Sequence, residues 1–115
     1  MPVRGRGRRY LSFWIEGERD YDEEEVVSAI REGVLSLFGA QGLSLIEPKL
    51  MVFDVVEQRG ILRCDRAHLT EMRAALTFVT QIGDSASAMY GEKVSGTLRS
   101  LKKDYLRRAF RGDDE

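Results

Sequence analysis

The order in which the hydrophobic period changes along the chain constrains its fold more than any other feature. From Arg9 to Glu16 apolar and polar residues alternate, with Leu11, Phe13 and Ile15 on one side and Tyr10, Ser12, Trp14 and Glu16 on the other. That period of two predicts a strand with one buried face and a second, aromatic-bearing face. Asp22 then reads as an N-cap, and Glu23, Glu24 and Glu25 fill a first turn where the helix dipole favours negative charge. Val26, Ile30, Val34, Leu37 and Phe38 recur at helical spacing, and Gly39 or Gly42 supplies a stop.

Leu45 to Asp54 reads as a second strand. It contains Pro48, which cannot donate to a ladder, so this strand is expected at a sheet edge or with a bulge at the proline. Arg59-Gly60 leads into a third strand, Ile61-Leu62-Arg63-Cys64, and Asp65 caps a second helix whose apolar stripe is Leu69, Met72, Leu76 and Val79. Residues 85–94 form a fourth strand poor in β-branched residues. Ser95-Gly96-Thr97 opens a last helix with Leu98, Leu101, Tyr105 and Ala109 on one side and mostly bases on the other. The resulting order, β-α-β-β-α-β plus a helix, predicts an α+β fold: a ferredoxin-like or RRM-like split βαβ sandwich with an added C-terminal helix. The expected organisation is a flexible basic Gly-Arg arm over residues 1–8, one domain over 9–110 and an acidic tail over 111–115.

Composition narrows the function. Apolar residues make up 43% of 115, enough for an ordinary core, but no run is long enough to span a membrane. One cysteine excludes an intrachain disulfide, and a cytoplasmic protein with no membrane partner is expected. The net charge of −1 hides a strong segregation. Residues 1–10 hold four arginines and no acid. Residues 16–32 hold eight acids against Arg19 and Arg31, and residues 99–108 hold five bases against Asp104. Basic ends suit a polyanion, and the acidic block suits either a helix start or a different partner; solvated helix faces are the alternative for each.

Catalytic readings find little support. His68 is the only histidine and Cys64 the only thiol, four residues apart across a strand-to-helix boundary, which makes a weak zinc site. Glu23 to Glu25 fan round a helix, and no phosphate-cradling or nucleophile-elbow motif occurs. Recognition of RNA by sheet aromatics is also doubtful at this level. Arg59-Gly60 begins like an RRM third-strand motif, but the residues that follow are not aromatic, leaving Tyr10 and Trp14 alone on the first strand. Arg99, Lys102, Lys103, Arg107 and Arg108 lie at a spacing that leaves the apolar stripe free, so this helix can neutralise phosphates without reading sequence.

Four segments together resemble one family. They are Arg8-Arg9-Tyr10-Leu11-Ser12-Phe13, Gly60-Ile61-Leu62-Arg63-Cys64-Asp65-Arg66, Met72-Arg73-Ala74-Ala75-Leu76 and Val94-Ser95-Gly96-Thr97. In this order they are similar to ribonuclease P protein component 2, the archaeal relative of the small eukaryotic ribonuclease P and MRP subunit. The resemblance implies a non-catalytic subunit that supports an RNA in removing the 5′ leader from precursor tRNA. Magnesium is then expected in the RNA, and no cofactor on the protein. Implied partners are the ribonuclease P RNA, ribonuclease P protein component 3, other protein subunits, precursor tRNA as substrate, and a homodimer within a heterotetramer. The expected RNA-facing residues are Arg8, Arg9, Arg63, Arg66, Arg99, Lys102, Lys103 and Arg107. A stand-alone RNA-binding module and a small-molecule-sensing ferredoxin-like domain are the other readings to be separated.

Overall fold

A computed structural model describes residues 7–103. The expectations placed on the Gly-Arg arm up to residue 6, on Tyr105, Arg107 and Ala109, and on the acidic tail lie outside the described residues.

Strand β1 (Arg8–Gly17) starts within the span expected for the arm, and its alternation buries Leu11, Phe13 and Ile15 on one face. Helix α1 (Glu23–Ile46) begins as the acidic turn predicts. Asp22 Oδ1 accepts the Glu25 N–H at 2.9 Å while Glu25 Oε1 accepts the Asp22 N–H at 3.1 Å, a complete capping box. The expected stop at Gly39 or Gly42 is wrong in detail. Gly39 breaks the helix, at φ 71° and ψ −175°, and helical turns resume to Ile46. They resume because Leu43 and Ile46 still have core to cover: Ile46 is fully buried and Leu43 packs against the core. Glu47 then closes α1 in the left-handed region, its N–H donating to the Leu43 carbonyl.

Leu45 and Ile46 are therefore helical, and β2 (Lys49–Asp54) starts after Pro48 instead of containing it. A proline just outside the ladder forfeits no ladder bond. β2 still lies at the sheet edge, and its register slips between Leu50 and Val52. β3 (Arg59–Asp65) follows, then a 3-10 turn (Arg66–His68) in which Asp65 Oδ2 takes the Ala67 N–H, and α2 (Leu69–Phe78). Val79 is buried as the stripe predicts, but just past the end of α2.

A two-residue strand that the sequence reading missed, β4 (Gln81–Ile82), turns through Gly83-Asp84 into β5 (Ser85–Ser95), the longest strand of the sheet. The antiparallel order is β2-β3-β1-β5-β4, the ferredoxin-like arrangement with an added edge hairpin. The expected last helix is present as helical backbone over 98–103, with Thr97 Oγ1 accepting the Ser100 N–H.

Both long helices cover the face that carries Leu11, Phe13, Ile15, Leu62 and Cys64. They approach closely at Gly33, where a β-carbon would lie 3.1 Å from the Ala75 carbonyl oxygen. A buried polar staple ties the β2–β3 turn to the segment before α1. The Tyr21 N–H donates to Gln58 Oε1 at 3.0 Å, while Gln58 Nε2 donates to the carbonyls of Tyr21 at 3.0 Å and Val55 at 2.7 Å.

Candidate nucleic-acid interface

Residues directly opposite one another in a ladder share a face, so register fixes what the second face of the sheet presents. Three rows run across it. The first is Lys49, Arg63, Tyr10 and Ser95; the second is Val52, Ile61 and Ser12; the third is Asp54, Arg59, Trp14 and Tyr90. A bulge between Leu11 and Phe13 keeps the outer rows aligned, with Ser12 Oγ accepting the Lys93 N–H at 3.0 Å. The middle of this face is closed. Ile61 is fully buried although it lies outside the core on the helix side, and Leu101 of the last helical turns is buried too.

The first row stands at the end of the sheet where Arg8 pairs with Asp65 and Arg9 with Cys64. The Arg66 N–H donates to the Gly7 carbonyl at 3.0 Å, and the Arg66 side chain lies over Gly7. Arg9 Nη1 donates to the Arg8 carbonyl and lies 3.7 Å from where a β-carbon on Gly96 would stand. The chain therefore enters the last helical turns from this same end. Arg99, Lys102 and Lys103 are exposed there and share the lining of one open depression. Of the eight expected residues, register brings Arg8 and Arg63 to this end of the sheet, with Arg9 beside them on the helix-side face; the Arg66–Gly7 bond adds Arg66, and Arg99, Lys102 and Lys103 follow from the adjoining strand end. Arg107 lies outside the described residues. Lys49 is a further cation that the sequence reading missed; only register sets it beside Arg63.

These cations are not equivalent. Arg8 Nη1 lies 3.5 Å from Glu47 Oε1, both partly exposed, so an incoming phosphate must compete with that carboxylate. Arg63 is half-buried, and its Nε is enclosed without a hydrogen-bond partner among the described residues. Arg66, Arg99, Lys102 and Lys103 are open to solvent. A cation end built this way can neutralise several phosphates with little discrimination among bases.

The third row adds an aromatic to the Tyr10 and Trp14 that the sequence offered: Trp14 stacks on Tyr90, with ring centroids 4.6 Å apart and planes 27° apart. Tyr90 was missed because it lies in the strand with the weakest signal. Arg59 beside Trp14 pairs with Glu92 across the face.

The catalytic candidates lie elsewhere. Cys64 is buried, and burial, helped by the Asp65 charge, pushes its thiol up to about 11, which suits a core residue and not a nucleophile. His68 Nδ1 faces Glu71 at 3.7 Å on the turn before α2. Among the described residues, no three His, Cys, Asp or Glu side chains gather as a metal site, and no helix is long and apolar enough to cross a membrane. The acidic start of α1 is accounted for in part by the capping box; Arg19 pairs with Glu25 at 2.6 Å and holds its carboxyl down at about 2.

Comparison with known proteins gives a consistent result. Residues 9–106 match the model of the Rpp14/Pop5 family. Ribonuclease P protein component 2 of Thermococcus gammatolerans is 40% identical over 105 residues, covering 91% of this chain and 88% of the relative. The protein of the same name from Archaeoglobus fulgidus is 38% identical over 111 residues, covering 92% and 95%. A chain in the cryo-EM structure of yeast ribonuclease MRP superposes with a TM-score of 0.67 over 98% of both chains, at 11% identity, a likeness of fold alone.

Proposed function

The chain belongs to the Rpp14/Pop5 family, and from that membership we propose that it is a protein subunit of ribonuclease P, acting in the 5′ maturation of tRNA. One observation carries this reading: relatives named ribonuclease P protein component 2 align with nearly the whole chain, not with a fragment of it. The cationic end of the sheet supports an RNA partner, because its charges face outward and neutralise phosphates without reading base edges.

In this reading the chain contributes cations and shape while the RNA, with its own magnesium, hydrolyses the phosphodiester of the precursor. Arg8, Arg9, Arg63, Arg66, Arg99, Lys102, Lys103 and Arg107 take phosphates, with Lys49 added from the register. Ribonuclease P protein component 3 and the other protein subunits are its protein partners, a homodimer forms within a heterotetramer, and the assembly works in the cytoplasm. Planar guanidinium groups suit such contacts because they meet phosphate oxygens two at a time.

The test is reconstitution of the cognate RNA and protein subunits with this chain present or left out. Cleavage of precursor tRNA should fall when it is omitted and return when it is added. Unchanged cleavage without it would overturn the proposal, as would leader removal by the purified polypeptide freed of nucleic acid.

A further inference from the structure

Alternate residues of a strand turn their N–H and C=O to opposite sides of the ladder, so one ladder bond orients its neighbours. The Ile15 N–H donates to the Gln58 carbonyl at 2.9 Å, which turns Ile15 toward β3 and the flanking Trp14 and Glu16 toward β5. Their partners Tyr90 and Ala88 therefore face inward, to β1. The Ser87 N–H donates outward to the Thr80 carbonyl at 3.0 Å, which gives the same parity from the other edge. Met89 and Gly91 consequently aim their N–H and C=O away from β1. β4 and Thr80 fill that outer lane only beside residues 85–87, and past Ser87 no described strand lies in it. The bulge beyond Gly91 ends the regular lane, which leaves room for about four residues, roughly 13 Å of extended chain.

The lane is flanked by α2. Between helix and edge opens a depression of about 310 Å³, with the buried Leu76, Val79 and Met89 in its lining. Thr77, Thr80 and Arg73 line it from exposed positions, and Arg73 is the one permanent charge among the lining residues. On the other face Tyr90 stands 43% exposed beside the same lane. A row of outward backbone donors and acceptors calls for a partner with the repeat of a polypeptide. An extended segment adds to such an edge through main-chain bonds, and its side chains alternate between the two faces. Those turned toward α2 meet Leu76 and Val79, and those turned the other way meet Tyr90. An acid reaching Arg73 finds no carboxylate of the groove in competition. A second copy suits the lane less well, because pairing β5 on β5 about a two-fold axis sets two α2 helices and two Arg73 side chains face to face.

We propose that the outer edge of β5 at Met89 and Gly91 docks an extended segment of a partner protein, apolar at alternate positions and carrying an acid for Arg73. The segment continues the lane that β4 begins. It is sought among the other protein subunits, which rests on the ribonuclease P reading above, and its contact uses neither the cationic end nor any phosphate.

Gly91 allows the deciding substitution. Its φ is not positive, and a β-carbon there would meet Leu11 at 3.4 Å, an ordinary contact. Gly91→Pro thus removes the outward N–H and no bond to β1, while Gly91→Ala keeps that N–H. The full chain, isotope-labelled, is mixed with each cognate ribonuclease P protein subunit in turn, and binding is followed by calorimetry and by amide hydrogen exchange. In the free chain the Met89 and Gly91 amides should exchange about tenfold or more faster than those of Ala88 and Tyr90. The subunit that binds should slow both to the rate of their neighbours. Gly91→Pro should weaken that subunit by about 5- to 150-fold, because the partner's carbonyl loses its donor, with the circular dichroism unchanged and Gly91→Ala like the parent. Arg73→Glu should weaken it by about 2- to 10-fold, and by less at high salt. Should Gly91→Pro fail to fold, Arg73→Glu and the exchange rates of the parent chain decide. A subunit that binds and leaves both amides fast, or a folded Gly91→Pro chain that binds like Gly91→Ala, would overturn the docking site. So would protection that grows with the concentration of this chain alone, which would make the occupant a second copy, or protection by the RNA. If no subunit slows these amides while precursor cleavage still depends on the chain, strand addition falls and the ribonuclease P reading stands; loss of that dependence removes the reading as well.

Discussion

The salt dependence of RNA binding is the quantity on which the cationic end commits itself most sharply. Arg66, Arg99, Lys102 and Lys103 are four of its exposed members, and changing all four to glutamine removes charge without touching the core. Each phosphate neutralised releases counterion and contributes about 0.7 to the slope of log K against log salt for a single strand. Four contacts make about 2.8. Over a fourfold rise in salt, from roughly 50 to 200 mM, the parent chain should therefore lose about fifty-fold more affinity than the variant. The assay is anisotropy of the labelled ribonuclease P RNA at five salt concentrations, and the quantity compared is the difference in slope, so any contribution from the remaining arginines cancels.

Two controls follow from the geometry. Arg31→Gln, on the exposed side of α1, changes net charge by the same unit as any single substitution above and should leave the slope unaltered. Arg8→Gln should lower it by less than Arg66→Gln, because Arg8 is already engaged by Glu47 at 3.5 Å. An unaltered slope in the fourfold variant, or an Arg31→Gln chain that behaves like it, would refute the assignment of these cations to phosphate.

Removing the Gln58 side chain strands two polar groups of the buried Tyr21, its N–H and its carbonyl. Gln58→Ala should therefore cost roughly 2–4 kcal/mol in urea unfolding, and a loss under about 1 kcal/mol would show that water replaces the staple. Gln58 also sits at φ 53°, so Gln58→Gly should be less damaging than Gln58→Ala by about 1 kcal/mol. The pH dependence of stability isolates the first turn of α1. Glu25 is held at about 2 in the folded chain, first by Arg19 and then by the Asp22 N–H, against an ordinary value of 4.5. Its contribution is thus complete above about pH 4.5 and is lost as pH falls toward about 2. Glu25→Gln should be less stable than the parent at neutral pH, with the gap closing across that window; a gap independent of pH would rule out the ion pair as its source.

What the sequence makes legible here is whatever repeats locally. The alternation of Leu11, Phe13 and Ile15 gives β1 and its buried face; Asp22 and Glu25, three apart, give the start of α1; Asp65 gives the turn into α2. Elements without a period of their own are lost. β4 has only Gln81 and Ile82, too few to alternate, although Gly83-Asp84 is a hairpin turn type that the sequence does contain. Gly39 reads as a stop because a glycine at the end of a stripe usually is one, and only the burial of Ile46 behind it shows that the helix bends and goes on. Gln58 looks like a surface residue of a turn, since nothing local says that its amide reaches back to Tyr21.

The candidate site was legible as a list of cations and not as a place, and the reason is physical. Arg8, Arg63 and Lys49 meet only because β1 pairs with β3 and β3 with β2 in one register, and no motif states that register. The core does. Slipping β3 by one residue against β1 would turn Leu62 and Cys64 outward and drive the guanidinium of Arg63 into the space beneath α1 and α2. A charge buried there without a partner costs several kcal/mol, far more than any exposed phosphate contact returns. The apolar residues on the helix side thus enforce the alignment that gathers the cations on the other side, and the same constraint sets Tyr90 on Trp14 from 76 positions away. A surface specified through its own reverse face needs no signature of its own, so its polar positions can carry RNA contacts while leaving the sequence without a recognisable RNA-binding motif.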